Sequence, residues 1–287
     1  MAAARPTIPE LETLRLITKT GTASVSIPPT PGMNTQILEV WVDGPADRSW
    51  VDVVVGTTTV ARFPVKWNDC LFFAPFKGSV QNVSLLGLIR EIFGSDIMIE
   101  ADESETITFN FSTAPSAVHI LYRLTTGTVD KSKPLRSRQA RVPLFAIVTH
   151  SSALNATKNF PLDVAIKPTG FPDLYNGATI PSGSRFTLKA LAFGSTAAGS
   201  TAATFFHIWR RTLELFTPID HTGISVHPSR NLLVFDINTK DVFLVPEYSF
   251  EAGDLITLNI DVSYDGSNAI AANTLAAFLI GWFEGGK

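Results

Sequence analysis

The sequence has little charge, one cysteine and no long apolar run. Charged residues are 17% of its 287 residues, whereas typical globular chains have about 25%. Because a monomer covers most of its surface with polar groups, this deficit favours extensive contact with other protein chains. A β surface rich in Ser, Thr and Asn, polar without being charged, is the alternative explanation.

The scarcity of cysteine and of basic residues excludes further classes. A lone Cys70 cannot form an internal disulfide, and its apolar surroundings, NDCLFFAPF, indicate a buried thiol rather than a nucleophile. The net charge of −3 argues against a chain that binds nucleic acid over its whole surface. We therefore expect no direct sequence-specific nucleic-acid binding.

No targeting or membrane segment is expected either. The opening residues, MAAARPTIPELETLRL, lack the apolar core of a signal peptide, because Pro6 and Pro9 interrupt them. The most apolar stretch, 275–283, is about half as long as the roughly 18 residues of a membrane helix. These patterns predict a protein made in the cytoplasm without an export signal.

Signatures of catalysis are also lacking. None of the 5 histidines has metal-ligand spacing, and no phosphate-binding glycine motif occurs. Asp220, His221, Ser225 and His227 resemble triad components, but they lie in one loop-like stretch without a nucleophile elbow. The acidic run EADESE, 100–105, lacks calcium-loop spacing and fits a solvated hairpin tip better. We predict no enzyme activity, no cofactor and no metal.

The sequence is instead dominated by β patterns. Short runs rich in Val, Ile, Thr and Phe alternate with Pro, Gly, Asn and Asp, which predicts strands. The expected strands are 13–20, 23–28, 36–43, 50–56, 57–65, 70–76, 105–112, 117–124, 143–150, 160–168, 184–194, 232–237, 242–250 and 254–265, with DIMIE as a further short one.

One helix is predicted near 84–93, in NVSLLGLIREIFGSD. Leu85, Leu88, Ile89 and Ile92 have helical spacing, and Gly94 fits the C-terminal cap. The stretch 205–216, FFHIWRRTLELF, fits either a helix or a strand.

Positive charge is concentrated in one segment, 125–142. Its cations are Lys131, Lys133, Arg136, Arg138 and Arg141. The segment is interpreted as a solvated linker or as an arm that contacts a partner, acidic lipid headgroups or nucleic acid. No aromatic residue interleaves, so base stacking is not supported.

The apolar run at 275–283 is best read as a strand, because glycines and β patterns surround it. Phe278, Ile280 and Trp282 then point one way, while Leu279 and Phe283 point the other. Both faces are apolar, so both must be covered by a sheet, by the helix or by another subunit. Phe278, Ile280 and Trp282 are therefore candidate interaction residues.

These patterns predict an all-β chain of two parts. The first β unit covers 1–124, the basic linker 125–142, and the second β unit 143–287. The fold expected is a jelly-roll barrel or sandwich with a second β subdomain, inserted or appended, and one or two short helices. The halves differ in pattern and no internal repeat is evident, so one barrel with a subdomain and two matching barrels both remain open.

Three phrases carry a resemblance to a known family. They are SVSIPPTPGMNTQILEVWV, WVDVVVGTTTVARFPV, and the closing pair FEAGDLITLNIDVSYDG and NTLAAFLIGWF. The closing pair resembles the last strand pair of jelly-roll domains in viral capsid proteins and C1q/tumour-necrosis-factor-like trimers. Over most of its length the chain resembles the major capsid proteins of icosahedral, membrane-containing double-stranded-DNA bacteriophages.

That resemblance implies a structural virion protein. It predicts assembly with copies or with a companion capsid protein into an icosahedral shell, above an internal viral membrane. Two alternatives stay open. A carbohydrate- or receptor-binding β-sandwich, such as a phage fibre tip or adhesin, predicts exposed coplanar aromatic side chains. A β-fold hydrolase predicts a deep acidic cleft.

Overall fold

The residues that the structure describes are all-β with one helix, as the sequence predicts. The computed structural model describes residues 13–68, 70–71, 85–94, 98–127, 129, 141–151, 153, 158–161, 164–166, 180–195, 204–210, 213–214, 234–235, 242–254, 256–262 and 271–285. Within them lie 19 strands, and every pair with a stated register is antiparallel.

The elements of the first half follow the expected pattern closely. They are β1 Thr13–Thr20, β2 Ser24–Ile27, β3 Asn34–Asp43, β4 Ser49–Val55, β5 Thr58–Trp67, β6 Cys70–Leu71, α1 Leu85–Phe93, β7 Ile99–Ala101, β8 Ile107–Phe111 and β9 Ala117–Thr125. Gly94 ends α1 as expected: its φ is +95°, and its N–H donates to the Arg90 carbonyl at 2.8 Å.

In the second half, the elements found among the described residues are strands. They are β10 Arg141–Thr149, β11 Lys158–Pro161, β12 Val164–Ile166, β13 Ser184–Ser195, β14 Thr204–Arg210, β15 Leu213–Glu214, β16 Val234–Phe235, β17 Val242–Phe250, β18 Ile256–Val262 and β19 Leu275–Gly285. The open choice at 205–216 is therefore resolved as β14 and β15. The expected strand at 160–168 is two short strands.

The chain divides into two compact units that are not uninterrupted halves. Unit 1 comprises Met1–Ala46, Trp50–Ala61 and Phe73–Arg138; unit 2 comprises Asp47–Ser49, Arg62–Phe72 and Gln139–Lys287. From the sequence, all residues before the linker, 1–124, were expected to form one unit. In the structure, strand β5 begins in unit 1, and its residues from Arg62 onward belong to unit 2.

Both units use one strand order. In unit 1 the sheets run β1-β9-β3-β7 and β2-β8-β4-β5, with β6 beyond β5. In unit 2 they run β10-β19-β13-β17 and β11-β18-β14-β15, with β12 beside β10 and β16 beside β14. If the eight shared strands of each unit are numbered along the chain, both units give 1-8-3-6 and 2-7-4-5. The expected dissimilarity of the halves does not extend to their topology.

A β-bulge marks the same place in both units. In β3 the register against β9 shifts between Ile37 and Glu39, and in β13 the register against β19 shifts between Leu188 and Ala190. Each bulge lies in the third strand, opposite the last strand of its unit. A bulge adds one residue and twists the strand locally. The two bulges therefore align β3 and β9 residue by residue with β13 and β19.

Apolar side chains fill the interior of each unit. In unit 1 the inward row of β9 is at most 6% exposed and consists of Val118, Ile120, Tyr122 and Leu124. In unit 2 Phe186 and Phe250 stack with ring centroids 6.2 Å apart. The alternation of buried and half-buried residues along β9 is that of a strand with one solvated face.

Candidate interaction surfaces

The closing strand β19 lies at the centre of its sheet, between β10 and β13. Its two rows of side chains are both buried: Phe278 and Ile280 are 0% exposed on one face, and Leu279 is 1% exposed on the other. Trp282, at 3%, completes the first row. The prediction that this strand is hidden on both faces is confirmed.

The cover of the first row comes from the chain itself. Phe145 lies opposite Ile280 in the register of β10 and β19, and the ring of Phe63 packs edge-on against it with centroids 5.5 Å apart. Phe63 belongs to the segment 62–72, which is part of unit 2. Phe278, Ile280 and Trp282 thus lie inside the unit, and the sequence had left open a sheet, the helix or another subunit as their cover. The contact of Phe63 with Phe145 brings a segment of the same chain to this face.

A buried amide anchors the end of this covering segment. Asn68 is 0% exposed, and its side-chain N–H donates to the Asn273 carbonyl at 3.0 Å. Its amide oxygen accepts from Arg48 Nε at 3.2 Å. Asn68 has a φ of +45°, a left-handed conformation that Asn tolerates better than most residues. The turn after β5 is therefore tied to the turn that starts β19.

The far end of the same sheet face is polar. Arg185 and Glu284 lie opposite each other and form an ion pair, Lys189 pairs with Glu247 at the bulge, and Thr187 bonds Ser249 at 3.0 Å. They line a shallow cavity of about 200 Å³ whose floor includes Trp282. The hydrogen bond and the charge of Glu284 raise the pKa of Arg185. Since each charge has an opposite neighbour, the cavity presents no excess of either sign.

The outward face of the first sheet of unit 1 carries a polar cluster that the sequence did not reveal. Thr18 Oγ1 lies 3.0 Å from His119 Nδ1, and His119 Nε2 lies 3.1 Å from Asp43 Oδ2. The three residues come from adjacent strands β1, β9 and β3. The hydroxyl–imidazole–carboxylate order resembles a catalytic triad. Thr18, however, is exposed on an open sheet face, whereas catalytic triads work in sites that exclude water.

Helix α1 packs against β3 in the same unit. Leu86 and Ile89 are 0% exposed, and Arg90 Nη1 lies 3.4 Å from Glu39 Oε1. Burial raises the pKa of Glu39, and the charge of Arg90 opposes that rise. The apolar face of the helix is therefore buried within unit 1.

Two leucines on β1 are the large apolar side chains most open to solvent among the described residues. Leu14 is 65% exposed and Leu16 is 53% exposed. They lie on the outward face of an edge strand, across from Arg123 and Leu121 of β9. The run TLRLITKT indicated a strand, but nothing in it indicated that this strand lies at an edge.

The acidic run after β7 forms a turn. Asp102 Oδ1 accepts from Ser104 N at 3.0 Å, Glu105 Oε2 from Asp102 N at 3.2 Å, and Glu103 Oε2 from Gly32 N at 2.8 Å. Together with Asn34, the turn lines a cavity of about 430 Å³. No group of three or more metal-ligating side chains is found in the part of the chain that the structure describes.

Several candidates from the sequence fall outside the described residues. Lys131, Lys133, Arg136 and Arg138 do so, as do Asp220, His221, Ser225 and His227. Arg141 begins β10 with its backbone opposite Glu284.

Comparison with known proteins adds no relative. A scan against protein-family models finds no match, and a search of the curated proteins finds none either. Among the described residues, no helix has the length and apolar character required to cross a membrane.

Proposed function

We propose that the chain is a structural coat protein built from two jelly rolls, which assembles with copies of itself or a companion subunit into an icosahedral shell. The supporting observation is the repeated pair of strand orders, 1-8-3-6 in one sheet and 2-7-4-5 in the other, in both units. Eight antiparallel strands in two sheets, linked as two Greek keys, define a jelly roll, a fold common in viral capsid domains.

Composition supports the same proposal. Only 17% of the residues are charged, which suits a surface largely buried against neighbouring subunits. The most apolar strand, β19, is already buried within unit 2, so the proposed contacts between subunits use other surfaces. Contacts between subunits then use surface patches of modest area, as a shell that must correct assembly errors requires.

The basic linker is proposed to add attraction for an internal viral membrane or for acidic loops of neighbouring subunits. Five cations within 131–141 favour anionic surfaces by about 1 kcal/mol each. Replacing Arg136, Arg138 and Arg141 by Gln should reduce flotation with anionic vesicles at low salt. Unchanged flotation and unchanged assembly would remove this part of the proposal.

The carbohydrate-binding alternative has less support. Sugar-binding sandwiches stack sugars on exposed aromatic rings. Among described side chains, Trp67 and Trp282 are buried at 4% and 3% exposure, Trp41 and Trp50 are half-buried, and the exposed large apolar residues are leucines. The hydrolase alternative requires a deep acidic cleft, whereas the acidic turn of unit 1 lines an open cavity.

Sedimentation velocity over a range of protein concentrations, followed by negative-stain electron microscopy, tests the proposal. Large assemblies with regular lattices or shells are expected from the chain alone or with a co-expressed companion. A chain that stays monomeric under both conditions and binds glycans on an array would favour the adhesin instead.

A further inference from the structure

We propose that copies of this chain associate side by side through the two edges of the β1-β9-β3-β7 sheet. The β1 edge of one copy would meet the acidic turn beside β7 of the next. This inference rests on the proposed function and deepens it, since it names the partner, a second copy, and the surface.

The two edges differ in charge. Strand β1 contains Arg15 and Lys19 and no acidic residue, and both side chains are exposed. The stretch 98–105, which contains β7 and its turn, has four acidic residues and no basic one. Because β1 and β7 are the opposite edges of one sheet, identical copies in the same orientation bring unlike charges together.

Charged residues of the two edges also lie at the same height along the strands. Leu14 pairs with Arg123, Arg123 with Gln36, and Gln36 with Glu100, so that one row crosses the whole sheet. A neighbour displaced along this row presents Glu100 and the acidic turn at the level of Leu14 and Arg15. Lys19 lies four residues further along β1, about 13 Å away, in a row that has no β7 partner.

The contact is made by side chains rather than by strand addition. Charged residues on an edge strand oppose hydrogen-bonded pairing with another strand, and Arg15 and Lys19 have this position on β1. Leu14 and Leu16, exposed on the adjacent face, supply the apolar part of the contact. Their small area gives weak, reversible association, which a growing shell needs.

The arrangement is heterologous, because different surfaces of the two copies meet. Such contacts close into rings when the rotation between copies allows it, and otherwise continue as open filaments. A two-fold contact of β1 with itself is disfavoured, since it would bring cations together.

Sedimentation equilibrium of the full chain tests the inference. Arg15→Gln is expected to weaken association about three- to fivefold, and Leu14→Ser with Leu16→Ser about tenfold. Asp102→Asn with Glu103→Gln keeps oxygen acceptors in the turn while removing its charge, and should match Arg15→Gln. Lys19→Gln is the matched control and should have little effect. Circular dichroism verifies the fold of each variant.

Combining variants identifies the geometry. Arg15→Gln joined to Asp102→Asn and Glu103→Gln in one chain should lose no more than either alone, because both remove one contact. An equal mixture of the β1 variant and the acidic-turn variant should form pairs of wild-type affinity, since each retains one intact edge.

Each outcome has a separate meaning. Wild-type shells together with variants that assemble unchanged would overturn this inference and leave the proposed function standing. Salt-sensitive oligomers that the β1 and turn variants weaken, without any shells, would support this inference and count against the coat. A wild-type chain that is monomeric alone and assembles only with a co-expressed companion overturns this inference and leaves the proposed function standing. A chain that stays monomeric at every concentration, with and without a companion, overturns both.

Discussion

The last strand of each unit lies inside the sheet that also contains the first strand. In unit 1 this strand, β9, has one solvated face, whereas its counterpart in unit 2, β19, is buried on both faces. Aligned on their bulges, Arg123, Leu121 and His119 of β9 correspond to Trp282, Ile280 and Phe278 of β19. The first set is half-buried, and the second is at most 3% exposed. One strand order thus accommodates opposite surface chemistries.

The difference follows from what covers each face. In unit 2 the segment 62–72 reaches Phe145, the counterpart of Leu16 on β1. In unit 1 helix α1 packs on β3, and Leu16 stays 53% exposed. The outward row of the strand is therefore apolar where another segment covers it. The strand order alone does not require an apolar outward row.

The largest expected effect separates the equivalent positions Phe145 and Leu16. Phe145→Ala should lower the free energy of unfolding by about 3–5 kcal/mol, because it removes a buried ring that contacts Phe63. Leu16→Ala should change it by less than about 0.5 kcal/mol, since Leu16 is largely solvated. Urea unfolding measures both. Equal losses of unfolding free energy in the two variants would contradict the difference between the covered and the exposed position.

A second variant tests close packing in β19. A Cβ built on Gly281 would lie 2.1 Å from the Thr187 carbonyl oxygen and 2.9 Å from the ring of Phe186. Gly281→Ala should therefore cost about 3 kcal/mol through backbone displacement. The counterpart of Gly281 in unit 1 is Tyr122, so this constraint belongs to unit 2.

Gly94→Ala is the control for that variant. A Cβ on Gly94 meets no atom within 4 Å, and its φ is +95°. Only backbone strain of about 1–2 kcal/mol is expected there. Equal costs at Gly281 and Gly94 would show that steric contact in β19 is unimportant.

A third variant tests the anchor of the covering segment. Asn68→Ala removes the donor to the Asn273 carbonyl and the acceptor for Arg48, and should cost about 1–3 kcal/mol. Asn110→Ala, at an exposed position in unit 1, is the control and should cost a few tenths of a kcal/mol. Thermal unfolding of both variants checks the difference. No loss for Asn68→Ala would mean that the cover holds without its anchor.

The smallest expected effect is a pH dependence in unit 1. Because burial raises the pKa of Glu39 above its ordinary 4.5, the folded state holds this proton when the unfolded state has released it. The stability that protonated Glu39 contributes is present below pH 4.5 and falls as pH rises through the folded pKa. Wild type should thus lose stability relative to Glu39→Gln between pH 4 and pH 7. A difference that stays constant or grows with pH would contradict the assignment.

The sequence predicts local structure better than it predicts what covers each surface. Alternation and turn residues located β1 and β17 to the residue, and Gly94 located the end of α1. The apolar residues on both faces of 275–283 predicted that both faces are covered, and this prediction is confirmed. The segment 62–72 was not identifiable as one of the covers, because the contact of Phe63 with Phe145 joins residues far apart in the chain.

The repeat was missed for a related reason. In each unit the first strand pairs with the last, so the strands that pair lie far apart in the chain. The rows Arg123, Leu121, His119 and Trp282, Ile280, Phe278 also share little chemistry. Only register, with its bulges at Leu38 and Lys189, aligns them. The exposed edge at Leu14 and Leu16 was hidden too, since edge position is a property of sheet order.

Cryo-electron microscopy of the chain at high concentration, alone and with a co-expressed companion, tests the central claim most directly. A repeating lattice or closed shell is expected, in which every chain contributes two eight-stranded units with the sheet orders 1-8-3-6 and 2-7-4-5. Dispersed single chains under both conditions, or a second unit with another strand order, would contradict the claim.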